Sequence, residues 1–431
     1  MGSFAAPLSG LETSQYQLEN VSNNLANLDT DGYKDETVSF YDVFAQTGAT
    51  NGSGDPIQTG SGVEVAATVS DFSEGTTTAT NIPSNMALSG QGFFITQNSN
   101  GLNDYTRDGS FTTNNAGFLT TSGGDSVLGY PAVNGVVNTS APLQPLQVGI
   151  GLTTPAVAST TFSISANLDA NSAVGATATS SLPVYDSLGN SHTLTVTYTK
   201  TAANTWTYAV SIPSADLSPA PAGATSTVAT GTLNFNSSGV LTSVQPTGAG
   251  ATSAPSAGIA ITIPATATPQ PTFADGAATM ALTWSLVTSG NTVISQTASN
   301  STTSATSTNG FASGVLQNYS VAPDGTIDGV FSSGQTLALG QVAVSTFANN
   351  QGLIDVGNNN YQPSAASGAP VVGVPGTGGR ATVIGGSVEQ SNVNIATEFA
   401  KMIIAQQAYS ANAKSVTTFN QVSQTTIAIL Q

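Results

Sequence analysis

The sequence predicts a mainly β protein with α-helical coiled-coil termini, in which two β-rich domains are nested in sequence between an N-terminal and a C-terminal helix. Three observations predict it. Apolar residues recur with heptad spacing at both ends of the chain. The long middle alternates apolar and polar residues with a period of two, broken by Gly, Asn, Asp and Pro. Charge is scarce, with only 7% of residues charged against 39% hydrophobic, so the surface is built from Ser, Thr, Asn, Gln and Gly.

At the N-terminal end, Leu11, Leu18 and Leu25 stand seven residues apart, and Val21 and Leu28 follow the last two by three. This is an a/d seam, with Ser14 in the d place of the first heptad. Asp29, Asp31 and Gly32 then supply turn chemistry that stops a helix of residues 5 to 28, about 36 Å long. At the other end Phe399, Met402, Gln406, Tyr409, Ala413, Val416, Asn420, Ser423, Ile427 and Leu430 step by alternating threes and fours. Polar Gln406, Asn420 and Ser423 inside such a seam tune register or partner at a cost in stability. Ser391 or Asn392 is placed to cap this helix, with Glu398 in its early part where the dipole favours an anion.

Periodicity alone also fits amphipathic helices packed on their own domain cores. The position of the seams argues further. No third strongly helical segment lies between them, so the natural partner of each is the other or another copy. The expected assembly surface is therefore Leu11, Leu18, Val21, Leu25, Leu28, Phe399, Met402, Gln406, Tyr409, Val416, Asn420, Ile427 and Leu430.

Between the helices, Gly92–Ile95 reads as a buried strand, and Asn134-Gly135 between Val133 and Val136 is a two-residue hairpin turn. Leu194, Val196 and Tyr198 alternate with threonines and are followed, after a short turn, by Trp206, Tyr208 and Val210. This is a hairpin with one apolar face. Residues 213–231 and 245–271 have the Ala/Ser/Thr/Gly/Pro composition of exposed loops and edges, and 295–310 that of a return crossing between domains. The expected organisation is terminal helices in 1–40 and 388–431, a linker at 41–62, an inner β domain from 63–145 and 310–387, and an outer β domain at 146–309.

Composition excludes several functions. Six Lys and Arg against 23 Asp and Glu give a net charge of -17, and an acidic chain lacks the clustered cations that nucleic-acid binding requires. With 0 Cys there are no disulfides or thiolate metal sites. No apolar stretch approaches the ~20 residues that span a bilayer, so no membrane insertion is expected. The first Lys is Lys34 and no early apolar run precedes it, so export through a cleaved signal peptide is not expected either.

Chemistry is sparse. His192 is the only histidine, which rules out a multi-histidine metal site, and its place at the start of the Leu194 hairpin suits a turn-flanking surface residue. The acidic turns at Asp29–Gly32 and Asp324–Gly329 lack the ligand spacing and closing Glu of an EF-hand. Gly90-Gln91-Gly92 precedes a strand where a dinucleotide site would precede a helix. No catalytic, cofactor-binding or metal residue is assigned, and the protein is not expected to be an enzyme.

Several motifs resemble the bacterial flagellar hook, rod and hook-associated family. Leu8-Ser-Gly-Leu11, Val21-Ser-Asn-Asn-Leu-Ala-Asn27 and Thr30-Asp-Gly-Tyr-Lys34 match its amino-terminal motif. Ser89–Ile95, Tyr105–Phe111 and Gly117–Thr121 resemble the inner β domain, and Val184–Leu194 is similar to an outer domain of hook proteins that shorter rod proteins lack. Gly340-Gln341, Phe347-Ala-Asn349, Gly352-Leu353 and Ser391 to Lys414 complete the resemblance, with Gln407 where the family more often has a basic residue.

The resemblance implies a homopolymer: a tubular, extracellular hook lined by paired terminal helices, flexing as a universal joint that passes torque from rod to filament. It implies subunits that travel through the flagellar type III export machinery. The partners it implies are a distal rod protein, a hook cap protein and a hook–filament junction protein. A distal rod or hook-associated protein, or a secreted β-rich adhesin, is the alternative.

Overall fold

In a computed structural model, residues 5–44, 46–50, 56–149, 151–248, 252–263 and 272–429 are described. They divide into two units. One comprises residues 1–150, 318–330 and 336–431, and the other 151–317 and 331–335.

In the first unit, helix α1 (Ala5–Ala26) ends where Asn27 to Gly32 turn the chain, and helix α2 (Ile395–Ile429) closes the sequence. The N-cap of α2 is Asn394, whose side chain accepts from the Thr397 N–H. Ser391 and Asn392 do not cap it. Asn392 is instead held by the Asp35 N–H and by the Asp71 carbonyl, tying the helix entry to the turn after α1.

The β part of this unit is made by segments from opposite ends of the chain. Met86–Ser89 pairs with Thr382–Gly385, Thr77–Ala79 with Ser387–Glu389, and Phe94 with Val344. These long-range ladders produce the nesting, because neither half of the sequence can complete the sheet alone. Phe93–Gln97 is buried on both faces, as its uninterrupted apolar start predicts. Asn134 and Gly135 both take positive φ (53° and 78°), forming the expected turn between Ser126–Val133 and Val136–Val137.

Much of the described part of the segment expected as a linker lies in paired strands: Glu36–Asp42 pairs antiparallel with Val63–Ser70, and Gln46–Thr50 pairs with Pro56–Thr59.

The second unit is a β-sandwich of two five-stranded sheets around one core. The expected hairpin is its centre: Ser191–Ala202 pairs with Thr205–Pro213, and Leu194, Val196, Tyr198, Trp206, Tyr208 and Val210 are buried. Trp284 from the opposing sheet stacks on Phe162 at 5.8 Å and meets Tyr208 edge-on at 5.4 Å. Two compositional expectations fail here. Residues 225–235 and 259–263 are strands, and Ile259, Ile261 and Ile263 belong to the core. Residues 302–308 are not a crossing but a strand on the edge of Thr161–Asp169. Its side chains are almost all exposed, so main-chain hydrogen bonds and a few hydroxyl contacts, Ser304 to the Ser165 carbonyl and Thr308 to Ser159, hold it and no apolar signal marks it.

Candidate assembly surface

The two helices pack on each other, and small residues set how closely. A Cβ at Gly10 would lie 2.8 Å from Asn412 Nδ2, so the helices meet there through the missing side chain. Thr13 and Ser14 are buried, with their hydroxyls bonded back to the Ser9 and Gly10 carbonyls. Of the expected α1 seam, Val21 is buried and Leu11, Leu18, Leu25 and Leu28 are half-buried. On α2, Glu398 and Ala405 are buried, and Lys401, Met402, Ala408, Asn412, Ala413 and Val416 are half-buried.

The covered face of α2 therefore runs through 398, 401, 405, 408 and 412, one position before much of the expected stripe. Phe399, Gln406, Tyr409, Asn420 and Ile427 are exposed in the single subunit, and Leu430 lies outside the described residues. Ile403 and Ile404 are also exposed, the latter at 64%. The helices differ in length, 22 against 35 residues, so α2 is about 20 Å longer. From Asn420 to Ala428 every side chain is exposed, including Val422 at 57% and Ile427 at 56%.

Polar contacts fix the base of the helix pair. Asn24 is fully buried and donates to the Glu36 carbonyl and to Glu398, while Tyr33 donates to Asn24 Oδ1. Burial pushes the Asp35 carboxyl above its ordinary range, with Lys401 acting against it. Lys401 itself reaches Glu398 and Asp35.

Beside this network, Glu389 is buried between two cations. Lys34 Nζ lies 2.6 Å from Glu389 Oε1, and Arg107 Nη1 lies 3.2 Å from Oε2. The Gly75 N–H also donates to Glu389, Lys34 donates to the Ser73 carbonyl, and Arg107 donates to the Gly90 carbonyl. Burial holds the Lys34 pKa below its ordinary value, against the pull of Glu389. Lys34 and Arg107 both lie in motifs of the sequence, but nothing local marks their partner. With only six cations in the chain, the placing of Lys34 and Arg107 inside recognisable motifs is the available signal.

Gly32 sits against this cluster at φ +72°, and its N–H donates to the Glu389 carbonyl. A Cβ there would lie 2.4 Å from the Asp108 nitrogen. Gly32→Ala is expected to cost about 2–4 kcal/mol from left-handed strain and backbone overlap together. Urea unfolding followed by tyrosine near-UV circular dichroism measures it, and a cost under about 1 kcal/mol would contradict this packing.

The one histidine is not a surface residue. His192 is 6% exposed and sits among Asp186, Asp216 and Asp275, with both ring nitrogens engaged by carboxylates. Asp186, His192 and Asp275 bring ligand-type atoms within 4.8 Å of one another, and both ring nitrogens already lie within hydrogen-bond distance of a carboxylate. Among the described residues, no helix is long and apolar enough to cross a membrane.

Four family models cover most of the chain. The flagella basal body rod protein model matches residues 7–34, and the flagellar hook protein FlgE/F/G D1 domain matches 87–167. The flagellar basal body protein FlaE D2 domain matches 152–311, and the flagellar basal body rod FlgEFG protein C-terminal model matches 384–429. The flagellar hook protein FlgE of Salmonella typhimurium is 33% identical over 99% of both chains. That of Treponema pallidum is 31% identical over 100% of this chain and 99% of its own. The crystal structure of Helicobacter pylori flagellar hook protein FlgE2 shares the fold, with a TM-score of 0.53 at 16% identity, covering 73% of this chain and all of its own. With two helices enclosing a mostly β chain, and relatives aligned from end to end, the chain belongs to the flagellar hook protein family, as a structural subunit of the hook.

Proposed function

We propose that copies of this chain polymerise through the exposed face and C-terminal turns of α2, forming the inner wall of a tube. One observation carries this reading: α2 outruns α1 and presents Phe399, Ile403, Ile404, Val422 and Ile427 to solvent. Large apolar side chains exposed along and around one helix need a cover. The cover is the helices of neighbouring copies. Charge has a small part in it, since five of the six cations, Lys34, Arg107, Lys200, Arg380 and Lys401, are engaged within the subunit, leaving Lys414 on α2.

The tube serves as a universal joint passing torque from rod to filament. Bending lengthens and shortens each row of subunits once per turn, which dry complementary packing would resist. Neutral, water-mediated contacts between Ser/Thr-rich β surfaces can exchange instead. Subunits leave the cell through the flagellar type III export machinery, and the ends of the tube meet a distal rod protein, a hook cap protein and a hook–filament junction protein. The role is non-enzymatic, with the single histidine committed to an ion-pair network.

Electron microscopy of the full chain, and of a chain lacking 1–40 and 388–431, tests the helical part. Tubes from the full chain alone are expected. Tubes from both would move the assembly surface to the β units.

A further inference from the structure

The surroundings of His192 carry an inference that the structural role does not require. His192 opens the strand Ser191–Ala202, and its ring lies on Phe273 with centroids 4.7 Å apart. Nδ1 is 2.9 Å from Asp216 Oδ2, and Nε2 is 3.1 Å from Asp186 Oδ2 and 3.8 Å from Asp275 Oδ2. These carboxylates come from three segments: the turn after Thr177–Tyr185, the 3-10 turn Ser214–Asp216, and the loop after Thr272–Phe273. Each is itself anchored. Asp186 accepts from the Leu188 and Asn190 N–H groups, Asp275 from the Ala277 N–H and the Asn190 side chain, and the Ala274 N–H donates to the Asp216 carbonyl.

A neutral imidazole has one N–H, and an ionised carboxylate only accepts. Hydrogen bonds from both nitrogens to Asp216 and Asp186 therefore require the imidazolium. We propose that His192 is a protonation-operated clasp that, as the imidazolium, fastens these three segments of the β-sandwich together and releases them when it loses its proton. Asp186, Asp216 and Asp275 are the titratable groups facing the ring, so deprotonation leaves three carboxylates around a neutral ring that can serve one of them.

The direction of the pH dependence follows. Burial alone would lower the His192 pKa, but the hydrogen bonds and charges of Asp216 and Asp186 outweigh it and hold it above the ordinary 6.5. Stability from a raised pKa is fully present below the unfolded value and is lost as pH rises through the folded one. Burial alone would raise Asp186, but the hydrogen bonds it accepts from His192, Asn190 and Leu188 help hold it below 3.8. That contribution is lost only as pH falls through the lowered value. The clasp is closed from mildly acidic pH to above 6.5 and opens on the alkaline side.

Two properties of the full-length chain make the test clean. It has one histidine, so a single imidazole proton resonance reports the titration, and its two tryptophans, Trp206 and Trp284, are both buried in this unit's core. The resonance is expected to titrate with a midpoint above 6.5. The urea midpoint by tryptophan fluorescence is expected to fall between pH 6 and pH 9 in the native chain, and not in His192→Gln. A resonance midpoint at or below 6.5 overturns the proposal, as does an equal fall in His192→Gln. Loss of the pH dependence in EDTA also overturns it, assigning the carboxylates to a bound divalent cation. If His192→Gln does not fold, the resonance of the native chain decides alone.

Discussion

Replacing Glu389 with Ala is expected to destabilise the first unit by about 3–5 kcal/mol, since breaking a buried pair by removing one partner leaves uncompensated charge behind. Here two cations are stranded. Lys34 and Arg107 are both buried; Lys34 keeps the Ser73 carbonyl, and Arg107 keeps the Gly90 carbonyl and the face of the Phe93 ring at 5.6 Å. Lys34 is held below its ordinary pKa by burial, so it can shed its proton and limit the loss. An arginine cannot. Glu389→Gln should cost less, because the amide oxygen still accepts and the shape is retained. Glu389 lies on the strand Ser387–Glu389 leading to α2, Lys34 in the turn leaving α1, and Arg107 just after Asn103–Thr106. The damage should therefore reach all three: amide exchange should accelerate in 31–36, 93–107 and 387–398. The tryptophan unfolding transition should not move, since Trp206 and Trp284 belong to the core of the other unit. A loss under about 1 kcal/mol would mean the cations find other partners, and that the helix bases are held by the Asn24 network instead.

Which parts of this structure were legible in the sequence follows from where their signals lie. The hairpin of Leu194 to Val210 announced itself because alternation and pairing are both local. Asn134-Gly135 did so because few residue pairs accept two successive positive φ values. The Lys34–Glu389 pair joins residues 355 apart, and no local pattern marks Glu389. His192 was misplaced for the same reason: its carboxylate at Asp216 lies 24 residues away, and composition around Asp186–His192 shows only a turn. The face of α2 that meets α1 was less legible. Apolar residues occur nearly all round it, so the largest side chains drew the stripe through Phe399 and Tyr409. The face that meets α1 uses Ala405, Ala408 and Asn412, since close approach at Gly10 favours small residues. The edge strand Thr302–Thr308 left no apolar trace at all.

That division of α2 into two faces has the second large consequence. Ile404→Asp, Val422→Asp and Ile427→Asp should leave the monomer intact, because each replaces a side chain more than half exposed. If neighbouring copies cover those positions, each substitution forfeits about 1.5–3 kcal/mol of apolar burial and adds the cost of desolvating a carboxylate. A tenfold change in an equilibrium corresponds to about 1.4 kcal/mol, so one substitution should raise the critical concentration for polymerisation at least ~10-fold. Two should raise it 100-fold or more and abolish tubes at ordinary concentrations. Ala405→Phe should behave in the opposite way. Ala405 is fully buried in the subunit, so overpacking by an aromatic ring should cost about 1–3 kcal/mol or more in the monomer. Circular dichroism on monomers and sedimentation of polymers, measured on the same samples, separate the two effects. Unchanged polymerisation in Val422→Asp/Ile427→Asp would show that the end of α2 stays wet in the tube. The wall would then have to be built from α1 and the covered face, and the added length of α2 would need another occupant.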